Sequence, residues 1–213
     1  MRCYLEITLL PNPEVNVYFL WSKVFQQIHL GLVEIQDERK QVPIGVSFPE
    51  YVVGEKFCLL GGKCRLFAQD EATLARFDAP KWLARLSDYV HCTSIRPVPV
   101  KLNGYATYRR EHAKTNSERL ARRYAKRHNL DFETALNGVV ELRDDSTGGM
   151  AYPTSFRYCE MPDKRIATPF IRLQSLSNGQ GFCLWIKKTL VAEASEAGYS
   201  TYGLSAKATV PEF

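Results

Sequence analysis

A change of hydrophobic period within the first hundred residues constrains this chain more than any other feature. Cys3, Leu5, Ile7 and Leu9 alternate with Tyr4, Glu6 and Thr8, and Pro11 and Pro13 follow. That two-residue period predicts a half-buried strand. From Asn16 to Ile35 the period lengthens, with Val17, Leu20, Val24, Ile28 and Leu32 recurring at three or four residues. Such spacing is one face of an amphipathic helix. Short strands are expected over 44–48, ended by Pro49, and over 63–68. Asp70 is placed to cap a helix that begins at Glu71, and Pro80 opens a further helical turn to Leu86. Residues 89–98 are extended, and Pro97 and Pro99 mark a linker. The order β-α-β-β-α-β predicts a ferredoxin-like domain over 1–97. Fold alone does not decide function.

Residues 98–213 have a different pattern. Thr115-Asn116-Ser117-Glu118 is a capping box, which starts a helix running to about His128. Asp131 caps a second helix through Val140, and 143–165, rich in Gly, Asp, Ser and Pro, is a long loop or insertion. Strands over 170–175 and 182–187 join around Asn178-Gly179, a hairpin-turn dipeptide, and a final strand is expected over 199–204. The expected fold class is α+β. It comprises the ferredoxin-like domain and a second α/β-containing domain (98–213) with an arginine-rich helix and antiparallel strands.

Hydrophobic residues at 45% and aromatics at 12% argue against intrinsic disorder. No stretch approaches the roughly 18 apolar residues of a membrane span. The amino terminus reads straight into a strand without the pattern of a signal peptide, so a cytoplasmic protein is expected. The six cysteines, at 3, 58, 64, 92, 159 and 183, form no CxxC pair and fit no zinc spacing. They read as scattered buried thiols, and no metal is expected.

Charge is concentrated in one segment. Between Arg96 and His128 ten Lys or Arg face only Glu111 and Glu118. This stretch therefore carries +8, and the remainder −3 of the chain's +5. Such asymmetry points to a polyanion, of which nucleic acid is the usual one. A membrane-surface helix is the competing reading, but the segment lacks the broad apolar face it needs. Arg119, Arg122, Arg123, Lys126 and Arg127 stand at i, i+3, i+4, i+7 and i+8, which gathers them on one helical face. That face is either solvated or bound to phosphates. Upstream, Tyr105, Tyr108, Arg109, Arg110, His112 and Lys114 form an aromatic and basic segment, either a polar linker or a reader of base edges.

His29 shares a helical stripe with Phe25 and Val33, beside the main apolar face. It is either a satisfied half-buried histidine or a general acid/base. The segment 174–182 clusters Ser175, Ser177, Gly179 and Gly181, and its simplest reading is a hairpin with solvated hydroxyls. No GxSxG elbow or Walker pattern occurs, and the paired acids of a two-metal nuclease are missing. If RNA is cut here, attack by the ribose 2′-hydroxyl on its own phosphate remains, with His29, Ser175 and the basic side chains as candidates.

Taken together, these residues resemble the CRISPR repeat-processing endoribonucleases of type I-F systems. The resemblance runs through Tyr4-Leu5-Glu6-Ile7, Pro11-Asn12-Pro13-Glu14, His29 and Ile44-Gly45-Val46-Ser47-Phe48-Pro49. It continues in Ala113-Lys114-Thr115-Asn116-Ser117-Glu118-Arg119-Leu120, the basic stripe and the Ser175 to Phe182 hairpin. It ends in Tyr202-Gly203-Leu204-Ser205 and Val210-Pro211-Glu212-Phe213, so it spans nearly the whole chain. It implies a metal-independent enzyme without a cofactor that cleaves a CRISPR repeat hairpin, leaves a 2′,3′-cyclic phosphate and holds its product. A non-catalytic hairpin-binding subunit is the alternative.

By resemblance, His29 is the catalytic histidine, Ser175 holds the attacking ribose and Tyr202 orients the histidine. Arg122, Arg123, Lys126 and Arg127 track the hairpin backbone, with Arg119 and Lys114 beside them. Arg110 and His112 read bases low in the stem, and Phe182 stacks under the last base pair. Other subunits of the type I-F surveillance complex are implied partners, and a membrane is not. Two positions depart from the family pattern, which carries Gln where His112 stands and Arg where Lys126 stands. Lysine keeps the charge and loses the bidentate fork.

Overall fold

The first strand forms where the alternation places it. Cys3, Leu5, Ile7 and Leu9 are buried and the residues between them are not. In this computed structural model the described residues are 1–55, 57–112, 117–142, 154–160, 167–175 and 178–213. Lys114, the capping residues Thr115 and Asn116, and most of the 143–165 segment lie outside them. The elements are β1 (Cys3–Leu9), α1 (Val17–Glu34), β2 (Gly45–Ser47), β3 (Val52–Val53), β4 (Cys58–Leu59) and β5 (Lys63–Ala68). Next come α2 (Glu71–Phe77), α3 (Ala79–Leu83), β6 (Val90–Cys92), β7 (Arg96–Pro97) and β8 (Gly104–Glu111). The remainder comprises α4 (Ser117–His128), α5 (Phe132–Asn137), β9 (Val139–Leu142), β10 (Thr154–Arg157), β11 (Phe170–Gln174), β12 (Gly181–Val191) and β13 (Val210–Glu212).

The chain divides into two compact units, Met1–Glu111 with Ala167–Phe213, and His112–Ile166. This differs from the division expected at 97/98. Pro97 and Pro99 punctuate the chain, but the next strand, β8, still belongs to the first unit. In that unit one sheet has the order β2-β5-β1-β6, with β7 also paired to β1, and another has the order β11-β12-β8-β13. Their pairings are antiparallel. Both sheets bury their inner faces in one core, where Leu5, Ile7 and Leu66 join Ala106, Tyr108, Ile171, Leu184 and Ile186. Shared burial makes them one unit despite the distance between them along the chain.

Helix α1 begins where Asn16 accepts a hydrogen bond from the Tyr18 amide, a side-chain cap on an otherwise orphaned donor. Its stripe of Leu20, Trp21, Val24, Phe25, Ile28 and Leu32 is buried. Each such side chain is worth about 1.5–3 kcal/mol of transfer free energy. The helix therefore stays in place whatever the residues at its margin do. Asp70 caps α2 through the Thr73 amide, as the sequence predicts.

In the second unit α4, α5 and the antiparallel pair β9 and β10 enclose Ala121, Val140 and Tyr158, packed by Leu120, Tyr124, Phe132, Leu136 and Phe156. Here the structure corrects two expectations. Asp131 caps α5 through the amides of Glu133 and Thr134, but the helix stops at Asn137. Val139–Leu142 is a strand instead, paired with Thr154–Arg157 inside the expected loop. Most of the aromatic and basic segment before α4 is a strand of the first unit, β8, from Gly104 to Glu111. In the first unit, 199–204 is not a strand. Tyr199 makes one bridge to Val42, and a turn comes after it. Of the six cysteines only Cys3 and Cys64 are buried, and Cys159 is exposed.

Candidate active site and nucleic-acid interface

His29 lies at the edge of the buried stripe of α1, half-buried and one residue past Ile28. Its Nδ1 is 2.8 Å from the carbonyl oxygen of Thr201. A carbonyl only accepts, so Nδ1 carries the proton and donates. The neutral ring therefore keeps its lone pair on Nε2. Burial lowers the pKa of His29 from the ordinary histidine value, and the Thr201 hydrogen bond opposes that effect. The outcome is a neutral imidazole of fixed tautomer, the form a general base needs.

The ring is also held from one face. Tyr202 stacks on it with centroids 4.1 Å apart and planes 10° from parallel. Phe182 and Tyr202 meet in a T-shaped contact with centroids 6.5 Å apart and planes at 74°, and the Arg110 guanidinium lies 5.3 Å from the Phe182 centroid. His29, Tyr202, Phe182 and Arg110 thus form one contiguous row drawn from α1, the 199–204 turn, β12 and β8. Burial raises the pKa of the Tyr202 phenol, and the Arg110 charge opposes the shift. The phenol is therefore neutral near pH 7.

The turn that presents Thr201 and Tyr202 is pinned by its backbone. The Gly203 amide donates to Ser200, the Val46 amide to Gly203 and the Ser205 amide to Tyr108. Gly203 has φ +67, and a Cβ there would overlap the Val46 side chain. Glycine is required on both counts. Thr201 is the partner that sequence reasoning missed. It acts through a carbonyl that every residue possesses, so its side chain carries no signal.

Ser175 directly follows β11, the strand on which α1 packs. Its amide donates to the Gln180 carbonyl and its carbonyl accepts from Gly179, whose φ is +69. This fixes the Ser175 backbone at the hairpin mouth, in the same unit as His29. Arg110 is exposed on β8 opposite Ile186, and His112, also exposed, begins the second unit.

Helix α4 in the second unit divides its faces by size and charge. Ala121 and Ala125 are buried, while Arg119, Arg122, Arg123, Lys126 and Arg127 are all exposed. Arg123, Lys126 and Arg127 line a shallow depression of about 390 Å³. Arg122 pairs with Glu118 at 3.3 Å and lies over the Phe132 ring at 5.2 Å. An exposed pair of this kind is worth at most about 1 kcal/mol, so it yields readily to a phosphate. The arrangement suits a row of phosphates along the helix.

The closing Val210-Pro211-Glu212-Phe213 proves to be structural. Glu212 accepts from Tyr108 at 2.9 Å and pairs with Lys188, and the Arg65 guanidinium donates to the Phe213 carbonyl at 2.9 Å. Among the described residues no three His, Cys, Asp or Glu side chains are grouped to hold a metal ion. No helix among them is long and apolar enough to cross a membrane.

Comparison with known proteins places the chain. It is 33% identical to the CRISPR-associated endonuclease Cas6/Csy4 of Escherichia coli (strain UTI89 / UPEC), with 100% of each chain covered. It is 34% identical to the protein of the same name from Pseudomonas aeruginosa (strain UCBPP-PA14), again over 100% of both. A solved structure described as an RAMP protein binding different RNA substrates covers 99% of each chain at 9% identity. Its TM-score of 0.36 is too low to bear on the fold. The family model of the CRISPR-associated protein Cas_Csy4 matches residues 4–213, and this chain belongs to that family.

Proposed function

We propose that this chain is an endoribonuclease that processes CRISPR precursor transcripts by cutting each repeat hairpin at the base of its stem. His29 Nε2 takes the proton of the ribose 2′-hydroxyl, whose oxygen bonds to the adjacent phosphorus. The bond from phosphorus to the 5′-oxygen breaks, that oxygen takes a proton from water, and the His29 imidazolium releases its own to solvent. The products are a 2′,3′-cyclic phosphate and a 5′-hydroxyl, and no metal is needed to generate the nucleophile. The observation that carries this reading is the His29 geometry: Nδ1 spent on Thr201, one face on Tyr202, and Nε2 left as the acceptor. The endonuclease names of the relatives support it independently.

Within this reading Tyr202 orients His29, and Ser175 holds the attacking ribose. Phe182, with Arg110 over its face, stacks under the last base pair, and Arg110 and His112 read bases low in the stem. The exposed cations of α4 track stem phosphates, joined by Lys114. Those stem contacts do not depend on the cut bond, so the product stays bound and can be delivered to other subunits of a type I-F complex. The strand order β2-β5-β1-β6, with α1 and α2 between strands in sequence, supports a ferredoxin-like reading of that sheet.

The nucleophile provides the test. A repeat hairpin with one 2′-deoxy sugar just upstream of the cut should bind normally and resist cleavage. The all-ribose hairpin should be cut equally well in EDTA. Cleavage of the deoxy substrate, or an EDTA-sensitive rate, would indicate an activated water and overturn the mechanism. Normal binding with no cleavage of either substrate would leave only a hairpin-binding subunit.

A further inference from the structure

A groove of about 740 Å³ lies on the first unit between α1 and β11. Tyr18 and Phe19 on α1 line it and are 53% and 54% exposed, unusually open for aromatic side chains. Lys23 and Arg172 line it too, and among the described residues no carboxylate does. The Lys23 ammonium sits 5.1 Å from the centroid of Phe19, which leaves the opposite ring face unoccupied by that contact. Open aromatic faces with cations between them are what single-stranded nucleic acid requires. Bases stack on the rings while the backbone charge is neutralised. The groove's lining also reaches the neighbours of two candidate site residues. Gln26 lies one helical turn before His29, and Gln174 directly precedes Ser175.

From these observations we infer that the groove binds the single-stranded RNA that continues 3′ of the cut. This rests on the function proposed above and extends it, because the strand leaving the scissile phosphate is the one that would pass Gln26 and Gln174. The groove holds the precursor before cleavage and makes no contact with the retained hairpin. It therefore favours precursor over product.

The experiment compares uncleavable 2′-deoxy hairpins that end at the first nucleotide after the cut with hairpins carrying eight unpaired nucleotides beyond it. Wild-type protein should bind the extended RNA about 5-fold or more tightly, the worth of one stacked base. Tyr18→Ala with Phe19→Ala, and separately Lys23→Gln with Arg172→Gln, should abolish that advantage and leave affinity for the short hairpin unchanged. These side chains are not part of the core, and a thermal melt checks that each variant folds. An extension that confers no advantage, or one that persists in both variants, overturns the inference. Lost association with another protein subunit, with the RNA advantage intact, would assign the groove to protein and also overturn it. Failure of wild-type protein to bind even the short hairpin would instead refute the function proposed above.

Discussion

Replacing His29 with alanine separates chemistry from binding. The substitution removes the imidazole stacked on Tyr202 and leaves the Thr201 carbonyl without its donor. Thr201 is only half-buried, so water can take the donor's place at little cost. The buried stripe that anchors α1, including Ile28 and Leu32, is untouched. Binding of the hairpin should therefore hold, since the cations of α4 belong to the other unit. A positioned acid or base is worth about 10²–10⁴-fold in rate, or roughly 3–5 kcal/mol of barrier. Single-turnover cleavage with protein in excess measures the rate, and the uncleavable 2′-deoxy hairpin measures affinity. His29→Gln can still donate to Thr201 but cannot titrate, so it should be as slow as alanine. A rate loss below about tenfold, or a loss of affinity equal to the loss of rate, would show that His29 is structural.

Four further outcomes are expected. Replacing Arg122, Arg123 and Arg127 with alanine should weaken hairpin binding and flatten its salt dependence by about 0.7–0.9 log–log units per lost phosphate contact; an unchanged slope would place the RNA on another face. Because burial lowers the pKa of His29, its folded midpoint lies below the unfolded value of about 6.5. Cleavage at subsaturating protein should thus keep its full rate at neutral pH and fall only below about 6.5, and a midpoint above 6.5 refutes the neutral base. By the same sign, His29's contribution to stability is full above about 6.5 and is lost as pH falls through that value toward the folded midpoint. Lys188→Met would strand the Glu212 carboxylate with Tyr108 as its remaining partner, a loss of about 3 kcal/mol in denaturant unfolding that adding Glu212→Gln should partly restore.

Local pattern alone determined β1, α1, β5 and the start of α2. Their signals are alternation, a three-to-four period and an N-cap, and each acts over a few residues. The basic face of α4 was legible for the same reason, because helical spacing places Arg119, Arg122, Arg123, Lys126 and Arg127 together without help from the rest of the chain. What stayed hidden depends on distant partners. Strand β8 reads only as an aromatic and basic segment, linker or base reader, because Arg109 and Arg110 obscure its short buried run, Ala106 to Tyr108. That run is buried only because β12 and β13 pair alongside. Residues 199–204 read as a strand, but their backbone hydrogen bonds go to β2 and to Val42 ahead of it, and Gly203 turns them. The histidine shows the division most clearly. Its place at the edge of an apolar stripe is a sequence property, and so it was a candidate from the start. Which nitrogen keeps the proton is decided by a carbonyl 172 residues away, and which face is covered by the ring next to it. No local period encodes a contact across that separation, because it exists only once the core has brought α1 and the turn together.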